Sequence, residues 1–159
     1  MLQVCKTDEI AVRIPDAARV EGLLAAIKTR GIEILAHCCV PTDPGALTLV
    51  VTDKPQQAKV VLEQAGHECQ SNPVVLVRTP SKTASAAQLG MQLTAAQIGI
   101  RYCYATPVAP TQAHVVFKTT DDDHAIRVLQ ACASKLHERM KWKLRRQRVE
   151  NAQRQQSTA

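Results

Sequence analysis

The stretch VLVRTP (Val75–Pro80) restates, with small changes, IAVRIP (Ile10–Pro15) earlier in the chain. Both are an apolar alternation closed by Val-Arg-x-Pro, and 77 − 12 and 80 − 15 both give 65. The echo continues outward. In the first pass, EIAVRIP alternates with a β-branched bias and stops at Pro15, which predicts a strand. ARVEGLLAAIKTR carries Val20, Leu23, Leu24 and Ile27 at helical spacing and ends at Gly31. IEILAHCCV and ALTLVVT read as strands around the turn PTDPG. Asp53 is placed to cap a second helix with Pro55 in its first turn and Ala58, Val61, Leu62 and Ala65 along one stripe.

The second pass runs in step. VVLVRTP is a strand, SAAQLGMQLTAAQ a helix with Leu89, Leu93 and Ala96 on one face, IGIRYCYAT and AHVVFKT strands around the turn TPVAPT. DDDHAIRVLQAC is the closing helix, its aspartates suited to the positive end of the helix dipole. Self-similarity across five consecutive elements marks a duplicated unit. A β-α-β-β-α-β unit of this size predicts the ferredoxin-like arrangement: an antiparallel sheet with both helices on one face, an α+β fold. A single small unit buries a modest share of its surface, so two tandem copies are expected to cover each other. Units are predicted over residues 1–72 and 73–133. The second has no fourth strand of its own after its last helix, and Leu2–Lys6 is predicted to supply it, as HECQ does for the first.

These stretches resemble the tandem ACT-domain proteins, small chains with two ACT units and no catalytic domain. The resemblance rests on RGIEI and IGIRYCYA after each first helix and on the T-D-x-x-x-A-xx-VL helix, and spans roughly residues 8–133. It implies a regulatory module that binds an amino acid or similar small ligand at an interface between units. The family's ligand loop, between first strand and first helix, reads D-x-P-G. Here Asp16 keeps the acidic position while Ala17 and Ala18 replace Pro-Gly, and the second copy reads PSKTAS. By resemblance the ligand-binding candidates are Asp16, Ala17 and Ala18 in one loop and Ser81, Lys82, Thr83 and Ser85 in the other. The alternative role for Asp16 and Ser85 is helix capping alone.

Charge is unevenly placed. Through Ala133 there are twelve basic and twelve acidic residues, and the whole net charge of +6 lies in the last 26. There Lys135, Arg139, Lys141, Lys143, Arg145, Arg146, Arg148 and Arg154 face only Glu138 and Glu150. Residues 134–159 read as a basic helix to about Val149 and then a polar tail. Leu136, Met140 and Leu144 give it a narrow apolar stripe that could pack on the body or on a second copy, making a homodimer. Its cations could instead contact nucleic-acid phosphates, or lie on anionic lipid, for which the stripe is thin.

Other functions find little support. No eighteen-residue apolar run is present, so no membrane span is expected, and MLQVCKTDE lacks a signal pattern, which points to the cytoplasm. The six cysteines form no CxxC and read as buried free thiols. His37-Cys38-Cys39 lies in a strand, where neighbours point to opposite faces and cannot converge on one metal. No catalytic spacing links the five histidines, and no phosphate or nucleophile motif occurs, so neither enzyme activity, metal nor cofactor is expected. The competing reading is a scaffold or interaction protein that has lost ligand binding and works through its sheet edge or its basic helix.

Overall fold

The computed structural model describes residues 2–79, 86–109 and 112–134. Six strands, β1 (Gln3–Ile14), β2 (Ile34–Pro41), β3 (Ala46–Thr52), β4 (Cys69–Thr79), β5 (Ile100–Ala109) and β6 (Gln112–Thr119), form one sheet in the order β2-β3-β1-β4-β6-β5. Every pairing is antiparallel. Helices α1 (Val20–Lys28), α2 (Pro55–Gln64), α3 (Ala86–Ala95) and α4 (residues 122–134) supply the second layer.

Two long central strands organise the sheet. The leading end of β1 pairs with the trailing end of β4, Val4 opposite Val77 and Lys6 opposite Val75, while its later residues pair with β3, Ile10 opposite Val50. The leading end of β4 in turn lies against Glu9–Val12, and its later part pairs with β6. Gln3–Lys6 and Glu9–Ile14, legible as separate strands, are thus one continuous strand, and of HECQ only Cys69 and Gln70 are strand, running on into VVLVRT. Pro73 pairs with β1 on one side and lies before the β4–β6 ladder, which begins at Val75, on the other, so its missing N–H leaves no ladder bond unmade. Its carbonyl accepts from Lys118 Nζ at 2.6 Å.

Strand alternation then sorts the core. Ile10, Val12 and Ile14 point toward α1 and α2, whose Leu23, Ile27, Ala58 and Leu62 are buried against them. Val75 and Val77 point toward α3 and α4, packing with Leu89, Leu93, Phe117, Ala125 and Leu129. Leu2 and Val4 join that second cluster and Cys69 joins the first, so each long strand contributes to both. With about 1.5–3 kcal/mol for each fully buried aliphatic side chain, these two clusters carry most of the stabilisation of the helix-covered face.

Several local expectations are corrected. Asp53 does not cap α2: its Oδ1 accepts from Glu33 N–H at 2.8 Å, and Lys54 occupies the cap position without a side-chain bond. Ala65 is exposed at the end of α2 rather than on its packed stripe. β5 runs through Pro107 to Ala109 where a turn was expected; as an edge strand it tolerates a proline. Cys5 and Cys103 are exposed and the other four thiols are partly buried, so none is a fully buried core thiol. Gly45, at φ +84°, is required in the β2–β3 turn, because a Cβ there would collide with the Ile14 carbonyl.

Candidate functional site

Among the described residues, the other face of the sheet carries no helix. It is covered because the sheet bends until its two edge regions meet. His37 N–H donates to Thr106 Oγ1 (3.1 Å), the same hydroxyl donates to the His37 carbonyl (3.3 Å), and His114 Nδ1 lies 2.7 Å from the Leu35 carbonyl oxygen. Inside this bend Leu35, Ala36, Val51, Val74, Leu76 and Val116 form a third apolar cluster with Tyr104 packed on it.

Beside that cluster lies a buried carboxylate. Glu9 is 0% exposed and accepts hydrogen bonds from Tyr102 Oη (2.6 Å) and Tyr104 Oη (2.7 Å). Strand geometry explains the convergence: Glu9 alternates with Ile10 and so faces inward, and Tyr102 and Tyr104, two apart on β5, share the opposing face. Burial pushes the Glu9 carboxyl above its ordinary range, and the two phenol bonds and the charge of Lys118 offset only part of that. Burial, together with the adjacent carboxylate, raises both phenols far above their usual value, so they remain donors at any physiological pH. The result is a fixed dipolar clasp from β1 to β5.

An open cleft of 470 Å³ adjoins the clasp. Ala11, Leu47, Leu49 and Val40 give it an apolar floor, and Tyr102 and Tyr104 one wall. Arg13, Glu68, Gln70 and Asn72 line the remainder with polar groups, and Cys38 reaches it from β2. Cys38 and Cys39 do face opposite ways, since Cys39 packs on the first helix-side cluster. Register sets this lining: Ala11 lies opposite Gln70, Glu9 opposite Asn72, and Arg13 opposite Leu47.

The residues singled out in sequence lie elsewhere. Asp16 is exposed and caps the 3-10 turn Ala17–Arg19, its Oδ1 accepting from Ala18 N–H at 3.0 Å. Neither it nor Ala17 or Ala18 lines the cleft. Ser81, Lys82, Thr83 and Ser85 lie outside the described residues, as do Lys135 and every other cation of the basic tail. Glu9, Arg13, Tyr102 and Tyr104 were not singled out in sequence. The available signal was the pair of tyrosines at strand spacing in RYCYAT, in a chain with only 3% aromatics.

Among the described residues, no group of three or more His, Cys, Asp or Glu side chains could hold a metal, and no helix is long and apolar enough to cross a membrane.

Comparison of the fold identifies its class. A protein of Bacteroides thetaiotaomicron superposes with a TM-score of 0.69 at 18% identity, over 82% of this chain and 90% of that one. The regulatory subunit of aspartate kinase from Thermus thermophilus, in ligand-free form, gives 0.59 at 18% identity, over 81% and 96%. The corresponding subunit from Thermus flavus gives 0.55 at 18%, over 82% and 94%. No family model and no curated protein matches the sequence. The chain has an ACT-like α+β fold, in agreement with the resemblance carried by its sequence.

Proposed function

We propose that the chain is a non-catalytic regulatory module built of two tandem ferredoxin-like ACT units, binding an amino acid at an interface between them. The observation that carries this reading is the sharing of β1 and β4 between the two helix-side clusters. A ligand that prefers one arrangement of the halves can then bias the whole sheet, which is what regulation by binding requires. The likeness to aspartate kinase regulatory subunits supports the same reading. The controlled partner would be another protein, and the setting the cytoplasm. Thermal shift of the full chain against the twenty amino acids tests it. A ligand at one hundred times its Kd stabilises by about 2.7 kcal/mol, and no response to any of the twenty rejects ligand binding.

One observation favours the scaffold alternative. The Asp16 carboxylate, the acidic group the resemblance places near a ligand, is already engaged by Ala18 N–H. In that reading the loop is structural and residues 134–159 contact a partner or nucleic acid. Truncation after Ala133 would then abolish retention on a phosphate column, whereas equal retention of the shortened chain rejects the nucleic-acid role.

A further inference from the structure

The duplicated sequence makes the cleft interpretable, because the repeat gives each inward position on β1 a counterpart 65 residues later on β4. Glu9 corresponds to Val74, Ala11 to Leu76 and Arg13 to Arg78. Val74 and Leu76 are buried in the third apolar cluster. Ala11 leaves open the volume that a leucine would occupy, and the cleft lies above it. The hollow is thus a departure from the repeat on one side only.

Its polar wall has an arrangement that restricts the ligand. Ala11 pairs with Gln70 and Val12 with Cys69, so continuing the register by one pair sets Arg13 opposite Glu68. Both line the cleft, yet they do not pair with each other: the ion pairs among the described residues are Lys6–Asp123, Lys59–Glu63 and Lys118–Asp122. A simple anion attracted by Arg13 is opposed by Glu68, and a simple cation the reverse. A ligand with both charges on adjoining groups satisfies the two together. Gln70 and Asn72 add amide donors and acceptors, while Ala11, Leu49 and Tyr104 offer an apolar bed. A cleft of 470 Å³ lies in the ordinary range for small-molecule sites.

We propose that this cleft is a binding site for one free α-amino acid with an apolar side chain, its carboxylate on Arg13, its ammonium on Glu68 and its side chain over Ala11 and Leu49. The inference rests on the proposed function for the class of ligand but places it away from the Asp16 and Ser81–Ser85 loops. The Glu9 clasp then has a positioning role, since it fixes the tyrosine wall against the floor.

Calorimetric titration of the full chain with L-leucine, L-isoleucine, L-methionine and L-phenylalanine tests the site. At least one should bind with one ligand per chain. Arg13→Ala should weaken it by about tenfold or more, as should removal of either charge from the ligand, using the matching carboxylic acid and the matching amine. Ala11→Leu, which restores the residue found at the counterpart position, should abolish binding. Gln70→Trp at the exposed rim should do the same if the leucine variant does not fold, as judged by circular dichroism. Asp16→Ala with Ser85→Ala should leave binding unchanged. Binding lost in that loop variant but retained in Ala11→Leu overturns the cleft and leaves the proposed function standing. Absence of binding by all four amino acids at millimolar concentration also overturns it, and the full panel of twenty then decides the proposed function separately.

Discussion

The two faces of this sheet obey different rules. The helix-covered face keeps the repeat: Ile10 and Val12 answer to Val75 and Val77, and all four are completely buried. The inner face keeps it at Arg13 and Arg78 but breaks it at the two positions before, setting Glu9 against Val74 and Ala11 against Leu76. Aliphatic packing tolerates exchange among similar volumes, so a duplicated core can drift without losing its pattern. A buried carboxylate has no such freedom. It stays buried only while specific donors meet it, and here they come from β5, 93 and 95 residues away. The face that departs from the repeat is the one that holds both the clasp and the cleft.

The largest test of this contrast is the double variant Tyr102→Phe with Tyr104→Phe, which strands the Glu9 carboxylate without donors. Its loss at neutral pH should be about 3–5 kcal/mol, the usual cost of breaking a buried charged contact. The sign of its pH dependence follows from Glu9, whose folded-state value already lies above the ordinary 4.5. Stability linked to protonated Glu9 is complete below the unfolded value and declines as pH rises through the folded one. Loss of the phenols moves that folded value higher still. Denaturant titrations should therefore show variant and parent converging as pH falls toward about 4 and diverging toward neutrality. Equal destabilisation at both ends would remove the clasp from the account.

On the helix-covered face the two clusters should behave alike. Leu62→Ala and Leu93→Ala each leave a cavity among fully buried neighbours and should each cost about 2–5 kcal/mol. Because β1 and β4 belong to both clusters, either variant should lower a single cooperative transition. Two separable transitions by calorimetry would show the halves to be independent. The smallest effect concerns Thr52, whose Oγ1 is buried with no partner among the described residues. Thr52→Val removes that unmet polar atom at nearly constant shape and should raise stability by about 1 kcal/mol in the same denaturant assay.

Sequence made the helix-covered face legible because its signals are local. Leu23 and Ile27, or Leu89 and Leu93, repeat at helical spacing, and Ile10, Val12 and Ile14 at strand spacing, and these residues are buried. The inner face was not legible for a matching reason. In EIAVRIP, Glu9 and Arg13 look like the solvent side of a half-buried strand, and only the closure of the sheet onto β5 covers Glu9. Asp53 misled similarly: it has the chemistry and position of a cap, but the Glu33 amide is the donor that reaches it. The Ala11–Leu76 difference was present in the sequence, yet it acquires meaning only once both residues are known to face inward.

The two central strands have a consequence for how the molecule can be divided. A cut between the sequence copies, near Pro73, would fall inside β4 and part Gln3–Lys6 from their partners on Val75–Arg78, stripping the second piece of an outer strand and leaving that end of β1 unpaired in the first. The boundary of the repeat along the chain is therefore not a boundary of the fold.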